Sequence, residues 1–261
     1  MINVIGAHNA LMATGAHGIM PTYMWLWNLY MSGKHLRHTF NLMKSIDFIR
    51  KICNNIIMER IGILGGTFNP VHNEHIKLAE CAVKELSLYK LIIMPTYISP
   101  HKSLAPAPAE DRLNMLRLAF NGQEKIEVSD YEIQKQGKSY TYLTVEEFKK
   151  RYSAKIFFIV GADMLTDFKT WKNPARILSA CDLAVFGRED FLADYSGEEE
   201  YFKANFGKSF IKLSYTGKQI SSTKIRVYSA FNLPVTDIPN EVYSYAVEKN
   251  LYGGDKYVEF V

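Results

Sequence analysis

The amino-acid sequence predicts an α/β protein built around a doubly wound parallel sheet. From residue 59 onward, short apolar runs alternate with segments whose apolar positions recur with helical period. Apolar runs such as "KLIIMPT" (90–96) and "IFFIVG" (156–161) lack polar alternation, as expected for strands covered on both faces. Strands that alternate with helices predict a parallel sheet with helices on both sides. Ligands of such folds bind beyond the carboxyl ends of the strands.

Each element follows from its own pattern. "RIGILGG" is an apolar strand ending in glycines, and the next segment carries Ile76, Ala79, Val83 and Leu86 at helical spacing. Strands are predicted at residues 60–66, 90–96, 125–133, 155–161, 181–188 and 210–215. Helices are predicted at residues 74–86, 109–120, 141–152, 173–180, 221–231 and 240–250. Loops are predicted at residues 99–111 and 188–207.

Composition excludes several classes of protein. The chain has 261 residues, of which 48% are hydrophobic and 22% charged, as in soluble globular proteins. A net charge of +4 fits an anionic ligand without indicating nucleic acid. Cys53, Cys81 and Cys181 show no CxxC spacing, which argues against a disulfide framework and a thiolate zinc site and favours a reducing compartment. We expect a cytoplasmic protein, and a homo-oligomer is compatible with the sequence.

The N-terminal segment differs from the rest, since residues 1–33 contain no Asp, Glu, Lys or Arg. Its apolar stretch is interrupted by Pro21 and is shorter than the roughly 20 residues of a spanning helix. The basic residues follow this stretch, whereas a secretory signal has them in front. "MERIGILGG" reads as a natural start at Met58. We therefore expect no membrane association, an extension at 1–57 that is poorly ordered or not native, a catalytic domain at 58–254 and a tail at 255–261.

Glycines and histidines after the first predicted strand indicate a phosphate site. "GGTFNPVHNEH" (65–75) places Gly65 and Gly66 at the strand end and His72 and His75 where a helix begins. Glycines admit close approach, and a helix N-terminus offers amides and partial positive charge. Zinc would need a third ligand, and no HExxH motif or nearby carboxylate pair supplies one. If the histidines were ordinary surface or core residues, the coincidence of a strand end, two glycines and a helix start would be unexplained. A phosphate site is therefore the preferred interpretation, and Thr67 can add a hydroxyl to it.

This stretch resembles the GGTFDPxHxGH signature of the nucleotidyltransferase superfamily, whose two histidines bind ATP phosphates. The resemblance implies further ATP contacts from Gly65, Gly66, Thr67 and Phe68. The sequence departs from the signature at Asn69, where Asp is common, and at Glu74, where Gly is usual. Asn69 keeps an acceptor. Glu74 puts a carboxylate near an anionic ligand, which is unfavourable unless it points away or pairs with a cation.

A second stretch, "ISSTKIR" (220–226), matches the other signature of the superfamily. It follows a predicted strand and begins a helix, where Ser221 or Ser222 can act as the cap. The resemblance implies that four residues hold the ATP triphosphate: Ser221, Ser222, Thr223 and Arg226. "SPHK" (99–102) is similar to the PPHK loop of bacterial nicotinate-nucleotide adenylyltransferases, which implies that Lys102 brings a mobile positive charge to the phosphates.

The remaining motifs concern the nucleosides. In "VGADMLTDFKTW" (160–171), Gly161 would let a purine or ribose approach and Asp163 would accept a hydrogen bond from it. Trp171 matches the family's tryptophan that stacks on the nicotinate ring. Its polar neighbours favour an open position over a core one. Within "GKSYTYLTV" (137–145), Thr141 matches the part that cradles the pyridine carboxylate, and Arg188 would add charge there.

Two further features of the sequence bear on the site. Lys138 stands where the family's PSYT stretch has Pro. "DRLNML" resembles the family's arginine-bearing helix, so Arg112 either contacts the nucleotide or solvates a helix face.

The implied reaction joins ATP to nicotinate mononucleotide, giving deamido-NAD and pyrophosphate. His72, His75, Lys102 and Arg226 would supply positive charge for catalysis. Mg²⁺ would arrive with ATP, because no carboxylate cluster calls for a protein-bound metal. Two alternatives remain: a transferase that uses the amide, nicotinamide mononucleotide, and a nucleotide-binding homologue with weakened catalysis, at which Glu74 hints.

Overall fold

The computed structural model describes most of the chain after the N-terminal segment. The described residues are 59–100, 107–188, 195–218, 220, 222–231, 233 and 235–253, with the side chain of Arg188 left out. Within these ranges, no helix has both the length and the apolar character needed to cross a bilayer.

Six parallel strands form one sheet. They are β1 (Arg60–Gly66), β2 (Lys90–Pro95), β3 (Ile126–Val128), β4 (Lys155–Gly161), β5 (Asp182–Arg188) and β6 (Ile211–Gly217). Their spatial order is β3-β2-β1-β4-β5-β6, so the chain builds outward from β1 in one direction and then returns to build outward in the other. This order confirms the predicted doubly wound α/β fold and places the topological switch point between β1 and β4.

Helices connect the strands on both faces of the sheet. They are α1 (Asn73–Glu85), α2 (Ala109–Ala119), α3 (Tyr131–Lys135), α4 (Thr141–Arg151), α5 (Ala162–Thr166), α6 (Pro174–Ala180), α7 (Ser196–Phe206), α8 (Ser222–Ala230) and α9 (Asn240–Glu248). A single 3₁₀ turn, Phe168–Thr170, follows α5.

Two apolar cores lie on opposite sides of the sheet. Successive residues of a strand point to opposite faces, so Leu64 and Phe157 join the core beneath α1, α2, α8 and α9. Ile63 and Phe158 join the other core, beneath α4, α6 and α7. The continuous apolar runs of the central strands follow from this burial on both faces.

Three parts of the chain differ from the sequence prediction, and one of them is the short helix α5, where no helix was predicted. The strand expected at 125–133 covers only Ile126–Val128, and α3 follows it. β3 is an edge strand that pairs with β2 alone, so little pairing is available to extend it. Helix α7 lies in the segment predicted as loop. Its sequence has no strong apolar stripe, but Phe202 is fully buried and Gly207 ends the helix in a left-handed conformation (φ 60°).

Candidate active site

A cleft of about 940 Å³ lies at the carboxyl ends of β1 and β4. Apart from Arg112, it brings together every predicted site residue whose side chain the structure describes. These residues are Gly65, Gly66, Thr67, Phe68, His72, His75, Thr141, Gly161, Asp163, Trp171, Ser222, Thr223 and Arg226. Lys102, Ser221 and the side chain of Arg188 lie outside the described residues. The location agrees with the rule that ligands bind at the switch point of such sheets.

The loop after β1 stacks two imidazole rings at the start of α1. The amides of His75 and Ile76 donate to the carbonyl of His72, at 2.9 and 3.4 Å. The backbone amide of His72 donates in turn to Nδ1 of His75 at 3.2 Å, and the two ring centroids lie 3.7 Å apart. Because Nδ1 of His75 accepts a hydrogen bond, the neutral ring carries its proton on Nε2. That nitrogen can donate to a phosphate oxygen.

A glycine makes room for a residue of the site itself. A Cβ on Gly66 would lie 2.9 Å from the buried ring of Phe68. A Cβ on Gly161 would meet only Oδ1 of Asp163 closely, at the end of an exposed side chain that can move aside. Phe68 also has a left-handed backbone (φ 49°), which is uncommon for a residue with a side chain. Gly66 therefore serves the packing of Phe68, in addition to any approach of a ligand.

Hydrogen bonds join α8 to the loop after β1 and so unite the two signatures. Oγ of Ser222 donates to the carbonyl of Pro70 at 2.9 Å. One terminal nitrogen of Arg226 donates to the carbonyl of Asn69 at 2.7 Å, and the other donates to Oγ1 of Thr223 at 3.0 Å. Ser222 is the first residue of α8, and its hydroxyl contacts the other signature.

Arg112 is a buried residue, so its interpretation as a solvated residue of a helix face was wrong. Its side chain is only 1% exposed and does not line the cleft. Its guanidinium donates to four backbone carbonyls: Thr67 and Thr96 at 2.7 Å, Tyr97 at 3.2 Å and Ala107 at 3.3 Å. Burial lowers the pKa of Arg112 from its ordinary value. The group holds together the GGTF loop, the end of β2 and the segment before α2.

Trp171 lines the cleft but is not in an open position. It is 8% exposed and packs against Phe158 and Phe168, with ring centroids 6.2 and 5.3 Å away. Its polar sequence neighbours were therefore a misleading signal of exposure. Trp171 belongs to the core and also presents surface to the cleft.

A buried carboxyl group supports the segment that carries Thr141. Oγ1 of Thr144 donates to Glu132 at 2.5 Å, and Ser139 also hydrogen-bonds to Glu132. Burial raises the pKa of Glu132, while the hydrogen bonds from Thr144 and Ser139 act in the opposite direction. Oγ of Ser139 accepts from the amide of Tyr97 at 2.9 Å. Thr141 begins α4, where the first amides of a helix lack intrahelical partners.

The sequence interpretation overlooked Lys172. This residue lines the cleft beside Trp171, and its Nζ lies 4.5 Å from the ring centre of Tyr140. Its place directly after the matched tryptophan was the only sequence signal for it. Lys138, where the family has Pro, lines the same part of the cleft.

The charged side chains of the cleft carry both signs. The described cationic residues that line it are Lys138, Lys172, Lys218 and Arg226. The described acidic residues are Glu74, Glu132 and Asp163. Glu74 lies 2.9 Å from the ammonium of Lys77, so it pairs with a cation, as a carboxylate near an anionic ligand requires. The described part of the chain contains no group of three His, Cys, Asp or Glu side chains that could hold a metal ion.

The doubly wound sheet, with one signature after β1 and the other after β6, defines the protein as an α/β nucleotidyltransferase. The model of the cytidylyltransferase-like family matches residues 63–227. The chain therefore belongs to the cytidylyltransferase-like family, which confirms the resemblance seen in the sequence.

Individual relatives agree with this assignment. A probable nicotinate-nucleotide adenylyltransferase of Clostridium tetani is 36% identical over 199 residues, covering 75% of this chain and 100% of the relative. A protein of the same name from Clostridium botulinum is 40% identical over 171 residues, covering 65% and 85%. The Plasmodium falciparum nicotinic acid mononucleotide adenylyltransferase complexed with NaAD has a TM-score of 0.60 at 19% identity, covering 74% of this chain and 97% of that one. The last likeness concerns the fold.

Proposed function

We propose that this protein transfers the adenylyl group of ATP to nicotinate mononucleotide, producing deamido-NAD and pyrophosphate in NAD biosynthesis. The proposed catalytic domain spans residues 58–254, with an extension at 1–57 and a tail at 255–261. The proposed partners are ATP and the mononucleotide, without nucleic acid or membrane, and a homo-oligomer is compatible with the sequence. A cytoplasmic location fits the three cysteines without disulfide spacing.

One observation carries the proposal: the contact between the two signatures. Arg226 and Ser222 of the second signature hydrogen-bond to the carbonyls of Asn69 and Pro70 in the first. Residues suited to binding phosphate thus meet in the cleft, and Tyr140, Thr141 and Trp171 also line it. These placements support a polyphosphate site and an aromatic site in the same cleft.

The proposed chemistry requires no nucleophilic side chain. A 5′-phosphate oxygen of the mononucleotide attacks the α-phosphorus of ATP, and a new P–O bond forms. The bond from that phosphorus to the oxygen bridging to the β-phosphate breaks, and pyrophosphate leaves with the electron pair. Catalysis then depends on holding the phosphates in line and neutralising their charge. We assign that role to His72, His75, Lys102 and Arg226.

Nucleotidyl transfer generally uses a divalent metal ion, which neutralises charge on the phosphate oxygens. Glu74 already accepts hydrogen bonds from Lys77, Tyr215 and the Lys218 amide. The described carboxylates of the cleft are thus not grouped to hold a metal of their own. We propose that Mg²⁺ enters bound to ATP.

Comparison of the two mononucleotides tests the proposal. Pyrophosphate release should be measured with ATP and either the acid or the amide, and the dinucleotide product should be identified. Faster turnover with the acid is expected. Faster turnover with the amide would replace the proposal by the nicotinamide alternative, and ATP binding without any pyrophosphate release would indicate a homologue that has lost catalysis.

Substitution of Trp171 by phenylalanine should raise KM for the mononucleotide about threefold, because a smaller ring stacks less well. KM for ATP should change less. Phenylalanine is preferable to alanine here, because loss of a buried tryptophan costs roughly 3–5 kcal/mol of stability. Steady-state kinetics with each substrate varied in turn provide the measurement.

Phe168→Leu is the matched control for Trp171→Phe. Phe168 packs against Trp171 but does not line the cleft. We expect a lower melting temperature and unchanged ratio of the two KM values. An equal rise in both KM values for Trp171→Phe would refute the stacking role.

Lys172→Gln should lower the preference for acid over amide about fivefold, as expected for an exposed charge pair. The acid carries a carboxylate on the pyridine ring and the amide does not, so only the acid gains from a cation beside Tyr140 and Trp171. The quantity to measure is the ratio of kcat/KM for the two mononucleotides. Lys169→Gln is the control, since Lys169 is exposed and lies outside the cleft lining. An unchanged ratio in Lys172→Gln would rule out this role.

A further inference from the structure

Glu74 occupies the signature position between the two histidines, where a glycine is usual, and its side chain is not exposed. It is the second residue of α1, between the two histidines, and is only 6% exposed. A carboxylate buried this far needs partners for its oxygens. Those partners show which contacts a glutamate makes at this position that a glycine could not.

The carboxylate of Glu74 connects α1 to the end of β6. Oε1 accepts from Nζ of Lys77 at 2.9 Å, within α1. Oε2 accepts from the hydroxyl of Tyr215 at 2.5 Å and from the backbone amide of Lys218 at 2.9 Å. Tyr215 lies in β6, and Lys218 directly follows it. Glu74 therefore holds the backbone at the point where the chain leaves the sheet for the second signature.

The charge of Glu74 is compensated within this group. Burial acts to raise the pKa of Glu74, but hydrogen bonds from Tyr215, Lys77 and the Lys218 amide outweigh it, and the pKa is lowered overall. The group is ionised at neutral pH, and the ammonium of Lys77 lies beside it. Repulsion of an incoming triphosphate is therefore smaller than the bare position of the carboxylate would suggest.

A second carboxylate on α1 offers a direct comparison. Glu85, the last residue of α1, also contacts β6: its carboxylate accepts from the amide of Ser214 at 2.8 Å and from the Ser214 hydroxyl. Both acids thus join α1 to β6. Only Glu74 lines the cleft and holds the segment that leads to the second signature.

We propose that Glu74 is a positioning residue for ATP. It fixes the backbone after β6 relative to the start of α1, so that Thr223 and Arg226 meet the same triphosphate as His72 and His75. This inference rests on the proposed function, since it assigns the polyphosphate end of the same cleft. On this proposal, a glutamate in place of the usual glycine orders the backbone that leads to the second signature.

The test compares Glu74→Gln, Glu74→Gly and Tyr215→Phe with Glu85→Gln as the control. Each Glu74 variant should raise KM for ATP, and the Kd for ATP in calorimetry without the second substrate, about tenfold. KM for the mononucleotide should change little. Tyr215→Phe should also weaken ATP binding, but by less. The double variant, with Glu74→Gln and Tyr215→Phe together, should bind ATP no more weakly than Glu74→Gln alone. Glu85→Gln should leave ATP affinity unchanged.

Several outcomes would overturn the proposal. Tighter or unchanged ATP binding in the Glu74 variants would show that the carboxylate does not order the site. An equal loss of ATP affinity in Glu85→Gln would show that Glu74 only helps to hold α1 against the sheet. A lower melting temperature with unchanged Kd for ATP would mean the same. Because ATP binding is measured directly, this test remains decisive even if nicotinate mononucleotide proves not to be the acceptor.

Discussion

Replacement of His75 by alanine is expected to lower turnover roughly 100-fold or more, as for the loss of a transition-state donor. The ring of His75 is held in place by three contacts. Its Nδ1 accepts from the His72 amide, it stacks on the His72 ring, and the ring of Phe68 meets it edge-on at 5.0 Å. A donor fixed before the reaction stabilises developing charge more effectively than one that must be ordered. Single-turnover rates of pyrophosphate release are the measurement.

Two variants accompany His75→Ala. Gln can still offer an N–H group, so His75→Gln should recover part of the lost rate. Glu80→Ala, at an exposed position of the same helix, should leave the rate unchanged. Near-normal turnover in His75→Ala, with the protein folded, would contradict the phosphate-binding role.

Arg112→Met is expected to lower the free energy of unfolding by at least about 3 kcal/mol, since it leaves buried carbonyls without donors. For a domain of this size such a loss lowers the melting temperature by roughly 6–12 °C. The guanidinium now satisfies carbonyls of Thr67, Thr96, Tyr97 and Ala107, which belong to three separate stretches of chain. Methionine fills similar volume but can donate to none of them. Thermal unfolding followed by circular dichroism measures the effect.

Arg117→Met provides the comparison on the same helix. Arg117 is exposed, and its guanidinium donates a long hydrogen bond to Oδ1 of Asn114, at 3.4 Å. Its loss should change the melting temperature by little, as for most surface substitutions. Arg112→Lys should destabilise nearly as much as Arg112→Met, because an ammonium keeps the charge but cannot span four carbonyls. A melting temperature unchanged in Arg112→Met would show that these hydrogen bonds contribute little net stability.

The sequence predicted most of the sheet and the described part of the site because both leave local patterns. Continuous apolar runs identified the central strands, and the residues directly after β1, β4 and β6 lie in one cleft, as expected for parallel strands. Failures occurred where the pattern was weak. The short edge strand β3 and the helix α7, whose single fully buried anchor is Phe202, carry little periodicity.

Other features depend on contacts between distant residues, and no local pattern reveals them. From the sequence, Arg112 is a surface residue of an amphipathic helix. In the structure it donates to the carbonyl of Thr67, 45 positions earlier in the chain. Glu74 reads as an unfavourable charge until Lys218 is brought within 2.9 Å. The polar neighbours of Trp171 suggested exposure, yet packing on Phe158 decides its burial. For Arg112 and Glu74, a partner far along the chain determines the role of the residue.

Residues near the C-terminal end of the described chain hydrogen-bond to parts of the fold that lie much earlier in the sequence. The family match ends at 227, but the hydroxyl of Tyr252 donates to Oδ1 of Asn69 at 2.8 Å, inside the first signature. The hydroxyl of Tyr245 in α9 likewise donates to Asp111 of α2 at 2.8 Å. A protein cut after the second signature would keep all the signature residues and lose the support of the loop before His72. The structural support of the first signature therefore extends to Tyr252, beyond the part of the chain that the family model matches.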